Sequence, residues 1–513
     1  MSSGKIRLKS NHFKTYHGEE PSIQQPVLKE GGKKSSRALL ALLLFTLALQ
    51  IFSIWNLELS GADSPRGAGI AREMAVTSKY LIPRLNGENF LEYPSLGYWP
   101  MAFTLSMSEK PWEFLAFLPI AFLGTGTVLI TFLIGKTLAG ERIGLVAGFI
   151  LSTMSGFITL HRHCRVDPAL LFFITLSLYG FAAGCRTSRK SFLFFAVFYL
   201  AVAGAFLSKG IIGAAIPFGT AVVFLIIRKD ITAIRKLLLS PETLFFLLPV
   251  LLWIGSVWWL EGPDIIKEVI RQSLSRFFSP SADHAKPFYF YFIHGFTPLM
   301  PWILLLLVLL WYRWGPTHSK EPLPHGTLLR FALVWFLTVF IGLSLASAKR
   351  ALYLGPIYPA FALLASLGWD RIREKFPKVK RLEVYGLIVM FLVITVTYQL
   401  FIIPSERKES LRPIFNAVSS QRTNGPIYLV NPSETIRGAS FFYLGKRIPA
   451  LYLHDLSPGR FENRPGTTLL IESYGTVCDD NQILSNLRSK GYRPLFQKKF
   501  NKHEVVYVYS NGS

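Results

Sequence analysis

Charged residues and cysteines are scarce in this sequence. Asp, Glu, Lys and Arg make up only 17% of its 513 residues, whereas soluble domains average about 25%. The three cysteines, Cys164, Cys185 and Cys478, have neither the number nor the spacing of a disulfide framework or of a thiolate zinc site. No glycine-rich phosphate loop for a soluble nucleotide sugar is visible either. These scarcities argue against a disulfide-stapled domain, a zinc finger and a soluble nucleotide-dependent enzyme.

Apolar and aromatic residues are abundant instead. They include 42 Phe, and 51% of the chain is hydrophobic. The formal net charge of +24 is dispersed between the apolar blocks rather than collected on one stretch, so nucleic acid is not an expected partner. The composition predicts a polytopic α-helical membrane protein in contact with membrane lipids.

Long apolar runs locate the membrane-spanning segments. A helix needs about 20 mostly apolar residues to cross the bilayer, and runs of that length bounded by charge predict about 11 spans, with up to about 13 as the upper limit. The predicted spans are 38–57, 113–135, 143–160, 167–184, 191–207, 211–227, 242–260, 291–312, 331–347, 351–369 and 383–403.

Basic residues predict the orientation. The first 37 residues hold eight Lys and Arg and no apolar run, which is typical of a disordered cytosolic tail. This tail and the predicted cytosolic loops carry 26 basic residues, whereas the three short external turns carry 5, as the positive-inside rule requires. We therefore expect a cytosolic tail over 1–37, a transmembrane domain over 38–403 with external loops 58–112 and 261–290, and an external domain over 404–513.

The last 110 residues read as a small soluble α/β domain. Strand-like runs at 426–430, 451–453, 467–471 and 505–509 alternate with helical patterns at about 433–443 and 480–490.

Ionisable residues collect in the predicted external loops, where they cost energy unless they are paired or used. Asp63 follows the first span and precedes an amphipathic pattern. Ser64 could cap that helix and leave the Asp63 carboxylate free, or Asp63 itself could be the cap. Arg66 and Arg72 near the helix start favour a bound anion such as a phosphate; arginines that reach lipid headgroups are the alternative.

Further ionisable residues flank other predicted spans. The run 161–167 packs five polar or ionisable side chains into seven positions, and its last residue, Asp167, could also offset the dipole of the following helix. Cations occur in the other external turns and loops, at Lys209, Arg276, Lys349 and Arg350. Several cations around two carboxylates suit a lipid phosphate and a displacement beside it.

Several motifs occur in a recognisable order over roughly residues 38–370. They are Asp63–Met74, Ile82–Gly87, Glu92–Trp99, Arg165–Phe173, Leu207–Gly210, Arg276–Phe278 with Pro287–Tyr291, and Ser344–Tyr353. In this order they resemble the bacterial ArnT/protein O-mannosyltransferase (PMT) superfamily of GT-C membrane glycosyltransferases, and are most similar to its aminoarabinose-transferase-like members. The family's common Glu-Lys-Pro-Pro is Glu92-Tyr93-Pro94-Ser95 in this chain.

The resemblance implies a GT-C-like fold and an inverting glycosyltransferase. The donor would be a polyprenyl-phosphate sugar, and the acceptor would be lipid A, another envelope glycan or a protein, on the outer face of the bacterial cytoplasmic membrane. A transporter or flippase of a lipid-linked sugar is the alternative, since it would also have many spans and buried charges.

The resemblance also implies roles for individual residues. Asp63 would be the catalytic carboxylate, and Asp167 would support it. The donor phosphate would be bound by Arg66, Lys209, Arg276, Lys349 and Arg350. Substrate contacts would come from Glu92, Tyr93, Arg165 and Tyr353. Glu92 and His284 are candidate ligands of a divalent metal ion, the one cofactor considered.

Overall fold

The computed structural model of the chain describes residues 32–187, 190–278, 285–314, 325–376, 379–420, 425–452, 465–473, 485, 487–499 and 505–511. Most of them are helical. The α-helices are α1 Gly32–Ile54, α2 Asp63–Thr77, α3 Trp99–Leu105, α4 Glu113–Ala139, α5 Glu141–Ser152, α6 Ser155–Leu160, α7 Asp167–Gly184, α8 Ser191–Lys209, α9 Ile211–Ile227, α10 Ile231–Leu239, α11 Leu244–Glu261, α12 Pro263–Phe278, α13 Phe290–His294, α14 Ile303–Trp314, α15 Gly326–Leu345, α16 Tyr358–Lys375, α17 Val379–Thr397, α18 Ile403–Lys408, α19 Arg412–Ser420 and α20 Glu434–Leu444.

Eight helical segments among the described residues are long and apolar enough to cross a membrane. They are Ser36–Ile54, Glu113–Ala139, Asp167–Gly184, Ser191–Lys209, Pro241–Glu261, Gly326–Leu345, Ala351–Lys375 and Ile388–Lys408. A ninth span results if Phe290–Leu299 and Ile303–Trp311, which meet at a bend of 107°, cross together. The shorter apolar helix α9 adds 17 residues. The prediction of a polytopic helical membrane protein is confirmed.

The predicted span 143–160 is not one continuous helix. It is divided between α5 and α6, with the break at Thr153 and Met154. Contacts from outside the segment hold this break: Trp302 Nε1 donates to Thr153 Oγ1 at 3.0 Å, and the Ser155 backbone N–H donates to the Met300 carbonyl at 3.1 Å. The Met300 carbonyl thus accepts a main-chain hydrogen bond that a straight helix would have kept internal.

Burial separates central helices from peripheral ones. The apolar windows of Asp167–Gly184 and Ala351–Lys375 are 78% and 83% buried, whereas those of Pro241–Glu261 and Ile388–Lys408 are 11% and 6% buried. Exposed apolar side chains such as Trp259 on the peripheral helices suit hydrocarbon rather than water. Asp167 begins the first of these central segments, and Arg350 immediately precedes the second. Both residues lie at the end of the bundle that carries the candidate site.

The C-terminal residues form a five-stranded sheet with helices packed on it. The strands are β3 Ile427–Val430, β4 Ala450–Leu451, β5 Thr468–Ser473, β6 Arg493–Lys499 and β7 Val505–Ser510, whereas β1 Arg84–Leu85 and β2 Glu88–Asn89 form a separate hairpin. The order in the sheet is β4-β3-β5-β7-β6. The first three strands are parallel, and β7 is antiparallel to both of its neighbours.

This sheet agrees with the predicted α/β class and adds two elements to it. Helix α19 and strand β6 were not predicted. Strand β6 gives no signal in the sequence, because it is an edge strand with largely exposed polar residues and lacks a continuous apolar run. The helix predicted at 480–490 lies mostly outside the described residues. The end of the last predicted span is not a break, since α17 continues through a π-helical turn at Tyr398–Ile402 into α18.

Candidate active site

Helix α2 begins at Asp63, and neither predicted capping arrangement is present. The preceding residue, Ala62, has helical backbone angles, and the helix has no side-chain cap. Ser64 is turned instead toward the turn before α7: its hydroxyl lies 3.4 Å from His163 Nδ1 and accepts a hydrogen bond from the Cys164 N–H at 3.4 Å. The Asp63 carboxylate is therefore not used to begin the helix.

Three arginines from separate segments surround the Asp63 carboxylate. Arg66 Nη2, one turn along α2, lies 2.8 Å from Oδ1. Arg165 Nη1 lies 3.0 Å from Oδ2, and Arg350 Nη1 lies 3.3 Å from the same oxygen. The Asp63 side chain is 18% exposed, so this carboxylate is partly accessible at the end of the helical bundle.

Asp167 lies at the first residue of α7 and is linked to Asp63 through Arg165. Arg165 Nε donates to Asp167 Oδ2 at 3.0 Å, while its Nη1 holds Asp63. The other oxygen of Asp167 pairs with Lys209 Nζ. The Lys209 ammonium also lies over two aromatic rings, 4.7 Å from the ring centre of Tyr353 and 5.5 Å from that of Tyr93, a cation–π arrangement that helps to hold a buried ammonium.

The charges around Asp63 set its protonation. Burial raises the pKa of the Asp63 carboxyl, but the positive charges of Arg165, Arg66 and Arg350 outweigh burial, so its pKa lies below the ordinary value. Burial likewise opposes the charge of Arg165, and the carboxylates of Asp167 and Asp63 more than compensate, which raises the guanidinium pKa. Asp63 is thus an ionised acceptor at neutral pH.

Two glycines allow the segments that carry Asp63, Arg165 and Lys209 to adopt this arrangement. A Cβ on Gly67 would overlap the Cys164 carbonyl oxygen, so α2 lies directly against the turn that carries Arg165. On the other side, Gly210 has φ +70° and lets the chain reverse immediately after Lys209. Only glycine adopts such a conformation without strain.

Lys349, a predicted phosphate ligand, is placed differently from its neighbour Arg350. Lys349 Nζ donates to the Lys286 carbonyl at 3.0 Å and to the Ala346 carbonyl. Within the described part of the chain, no carboxylate lies within the 4.0 Å salt-bridge distance of its ammonium. Lys349 therefore ties its turn to the segment around Lys286, and its role toward a phosphate stays a prediction.

Arg72 does not form an anion site, and it does not reach toward lipid headgroups. Its guanidinium donates to carbonyl oxygens at the end of α3 and just beyond it, at Leu105, Ser108 and Glu109. Both interpretations of Arg72 drawn from the sequence are therefore wrong, because its Nη1 and Nη2 groups donate to three main-chain carbonyls at and beyond the end of α3.

One of the two residues considered for a metal ion lies outside the described residues. Glu92 lies close enough to Arg66 for its charge to raise the pKa of that guanidinium, although burial acts in the opposite direction. His284 lies outside the described residues, as does the side chain of Arg276, whose backbone belongs to α12. No group of three His, Cys, Asp or Glu side chains in the described ranges could hold a metal ion. A metal ion stays a hypothesis.

Two residues of this region were not predicted individually from the sequence, although His163 belongs to the run 161–167. Glu434, at the start of α20, pairs with Arg66: its Oε2 lies 2.6 Å from Nη1. His163 is buried behind Ser64, and burial together with the charges of Arg165 and Arg162 lowers its pKa to about 4. No sequence pattern linked Glu434 to the site, because it lies 368 residues away from Arg66 in the chain. Its local sequence indicates only the start of a helix.

The fold and the site define a polytopic helical membrane protein with a cluster of carboxylates and cations at one end of its bundle. Residues 36–261 match the family described as dolichyl-phosphate-mannose-protein mannosyltransferase (PMT). This match and the relatives described next support a relationship of the chain to the ArnT/PMT superfamily of GT-C membrane glycosyltransferases.

Individual relatives agree with this assignment. The undecaprenyl phosphate-α-4-amino-4-deoxy-L-arabinose arabinosyl transferase 2 of Proteus mirabilis is 26% identical over 76% of this chain and 68% of its own length. The Shewanella sediminis arabinosyl transferase of the same description is 24% identical over 86% and 80%. The crystal structure of ArnT from Cupriavidus metallidurans bound to undecaprenyl phosphate superimposes with a TM-score of 0.73 at 17% identity, covering 93% of this chain and 98% of that one.

Proposed function

We propose that this protein is an inverting glycosyltransferase that moves a sugar from a polyprenyl phosphate to a hydroxyl group of an envelope acceptor. The observation that carries the proposal is the ion-pair network in which Asp63 and Asp167 are joined by Arg165 and flanked by Arg350 and Lys209. The arabinosyl transferases among the relatives are named for an undecaprenyl-phosphate sugar, which supports the polyprenyl-phosphate donor. The acceptor class covers lipid A, another envelope glycan or a protein.

In the proposed reaction Asp63 is the general base. Its carboxylate accepts the proton of the acceptor hydroxyl, whose oxygen forms a bond to the anomeric carbon while the bond from that carbon to the phosphate oxygen breaks. The electron pair of the broken bond leaves with the polyprenyl phosphate. Because this is a single displacement, the anomeric configuration inverts. Asp167 acts through Arg165, which it holds at Nε while Nη1 faces Asp63.

Cations beside the carboxylates would receive the leaving phosphate. Lys209 is the first candidate, because an ammonium has three donors, and its pairing with Asp167 does not use them all. Arg350 is the second, since it is 36% exposed and its contact with Asp63 is the longest of the three arginine contacts. Tyr93 and Tyr353, whose rings flank the Lys209 ammonium, would line the sugar subsite together with Glu92.

The remaining predicted phosphate ligands take less direct parts in this proposal. Arg66 pairs with Asp63 and Glu434, so we assign it to the acceptor side. Arg276 and Lys349 stay candidates for the rim of the donor site.

We also propose that the reaction takes place on the outer face of the bacterial cytoplasmic membrane. The excess of basic residues in the predicted cytosolic loops supports this orientation. The network then lies outside, on the same side as the C-terminal α/β domain over residues 404–513. The donor, made in the cytosol, would be used after transfer to the outer leaflet.

A transporter or flippase is less consistent with the placement of the charges. Transporters bind their substrates near the middle of the membrane, at broken helices. Here the ionisable residues of the network lie at helix ends: Asp167 begins α7, Lys209 ends α8, and Asp63 begins α2. A site at the end of the bundle suits transfer to an acceptor outside the hydrocarbon.

The test is transfer by the purified protein in lipid nanodiscs from a panel of synthetic polyprenyl-phosphate sugars. Mass spectrometry of envelope lipids, glycans and proteins from cells with and without the gene identifies the acceptor. We expect one donor to be consumed and one glycoform to be lost. A protein that transports a lipid-linked sugar across vesicles but transfers none of the panel to that acceptor would contradict the proposal.

A further inference from the structure

The C-terminal α/β domain reaches into the candidate active site through helix α20. Glu434 at its first turn is the partner of Arg66 Nη1 at 2.6 Å, while Nη2 of the same guanidinium holds Asp63 at 2.8 Å. Arg66 thus spans two carboxylates from parts of the chain far apart in sequence. A guanidinium presents its donors in a fixed plane, so fixing one of its nitrogens also fixes where the other one points.

The start of α20 is itself held firmly in place. Glu472 on strand β5 accepts hydrogen bonds from the N–H of Ser433 at 2.5 Å and from its hydroxyl at 2.8 Å. The Ser433 hydroxyl in turn accepts from the Ile436 N–H and caps the helix. The sheet of the C-terminal domain therefore determines where Glu434 lies.

Helices α20 and α2 cross in direct backbone contact just behind this ion pair. A Cβ on Gly438 would lie 2.6 Å from the Arg66 Cα and 2.6 Å from the Pro65 carbonyl oxygen, so only glycine fits there. One turn earlier, Thr435 Oγ1 donates to the Ala62 carbonyl at 3.1 Å. The contacts of α20 thus fall on the first turns of α2, which carry Asp63.

We infer that Glu434 is a positioning residue for the transfer reaction: through Arg66 it orients the Asp63 carboxylate toward the acceptor hydroxyl. This inference rests on the proposed function. It makes the C-terminal domain part of the reaction centre rather than an appended module. Without Glu434 the Arg66 guanidinium keeps Asp63 and the Phe90 ring, whose centre lies 5.6 Å from its Cζ, but it loses the partner of Nη1. The donor to the Oδ1 atom of Asp63 is then held less firmly.

The interface offers a matched control for this inference. Glu88 on β2 pairs with Arg437 of the same helix α20 at 2.5 Å, and its side chain is 58% exposed, compared with 51% for Glu434. Both ion pairs join α20 to the segment between the first two spans. Only the Glu434 pair continues to Asp63. Glu88→Gln therefore reports what the loss of an interface ion pair does by itself.

The experiment compares steady-state transfer by wild type, Glu434→Gln, Glu434→Asp and Glu88→Gln in nanodiscs. We expect Glu434→Gln to lower kcat about tenfold or more, since small displacements of a reacting group cost up to about a hundredfold. The acceptor KM, donor affinity and melting temperature should stay close to those of wild type. Glu434→Asp should recover part of the loss, and Glu88→Gln should stay within about twofold of wild type.

A double-variant comparison isolates the path through Arg66. If Glu434 acts through that guanidinium, adding Glu434→Gln to Arg66→Gln should cause no further loss of kcat. Independent, multiplying losses would overturn the inference. So would equal losses in Glu434→Gln and Glu88→Gln, or a change confined to the acceptor KM, which would make Glu434 a binding residue.

A second measurement keeps this inference separate from the proposed function. Hydrogen exchange of the peptides that cover residues 62–69 needs no substrate, and we expect faster exchange in Glu434→Gln than in Glu88→Gln. If wild type transfers no sugar but this difference is present, the proposed function fails while the positioning of α2 by Glu434 stands. Equal exchange in the two variants would overturn the positioning even in an active enzyme.

Discussion

Replacement of Asp63 by Asn tests the centre of the proposed mechanism. The amide has nearly the size of the carboxylate and can still accept one hydrogen bond, but it cannot take the acceptor proton. A positioned general base contributes roughly a hundredfold to ten-thousandfold, so we expect kcat to fall at least about a hundredfold. Donor binding should persist, because removal of a negative charge beside Arg350 does not weaken a site for phosphate.

The structure also sets the expected change in stability. Asp63 is the partner of three arginines, and removal of one member of a buried ion pair costs about 3–5 kcal/mol. The cost here should be smaller, about 1–3 kcal/mol, because Arg66 keeps Glu434, Arg165 keeps Asp167, and the site is partly open to water. We therefore expect the melting temperature to fall by a few degrees while the protein stays folded.

Asp63→Glu separates charge from position in the same assay. It keeps the carboxylate and its arginine partners but moves the reacting oxygens by one methylene, so its stability should lie near that of wild type while kcat falls by an intermediate factor. The assay is single-turnover transfer from the synthetic donor, followed by mass spectrometry. An Asp63→Asn enzyme that keeps more than about a tenth of the wild-type rate would refute Asp63 as the base.

Three further predictions concern the donor site, pH and topology. Lys209→Ala should weaken donor binding by about 1.5–3 kcal/mol, the value of a charge-assisted bond. Lys349→Met should weaken it less and should lower the melting temperature, because the Lys349 ammonium is already bound to two main-chain carbonyls; equilibrium binding of a labelled donor decides. The folded-state pKa of His163 is about 4, below its ordinary value of 6.5, so its contribution to stability is complete above pH 6.5 and is lost as the pH falls toward 4; His163→Asn should flatten this part of the melting profile. In a variant without the three native cysteines, single cysteines introduced into 1–37 and 404–513 should react with an impermeant thiol reagent from opposite sides of the membrane. Labelling of both from one side would contradict the orientation.

The membrane-spanning segments could be predicted because the hydrocarbon imposes a length that is visible locally. Each helix must satisfy its own backbone hydrogen bonds inside lipid, so an apolar run of about 20 residues is sufficient to predict a membrane-spanning helix. The break at Thr153 was not predictable in this way. It depends on hydrogen bonds from Trp302 and to the Met300 carbonyl, and the run 143–160 looks continuous without them.

The cost of an unpaired charge next to a membrane predicted part of the charged cluster. Asp63, Asp167, Lys209 and Arg350 were singled out because ionisable residues at the ends of apolar spans are costly unless they are paired, and the structure brings them together with Arg165. Adjacent residues could not be told apart: Arg350 faces Asp63, whereas Lys349 donates to main-chain carbonyls. Which of two neighbours points inward depends on the turn geometry, which the sequence pattern does not encode.

Lys209 and Arg350, the two proposed phosphate ligands, are each already paired with a carboxylate. This pairing affects how the proposed site would favour the transition state. A polyprenyl-phosphate sugar is a phosphodiester with one negative charge, and its phosphate gains a second charge as the bond to the sugar breaks. Lys209, which keeps donors beyond its bond to Asp167, and the half-exposed Arg350 would therefore interact more strongly with the departing phosphate than with the bound donor. Interactions that strengthen along the reaction lower its barrier, whereas equal binding of donor and transition state would not. In the proposed reaction Asp63 and Asp167 would also keep these cations from binding the donor too tightly, because the phosphate would share them with carboxylates already in place.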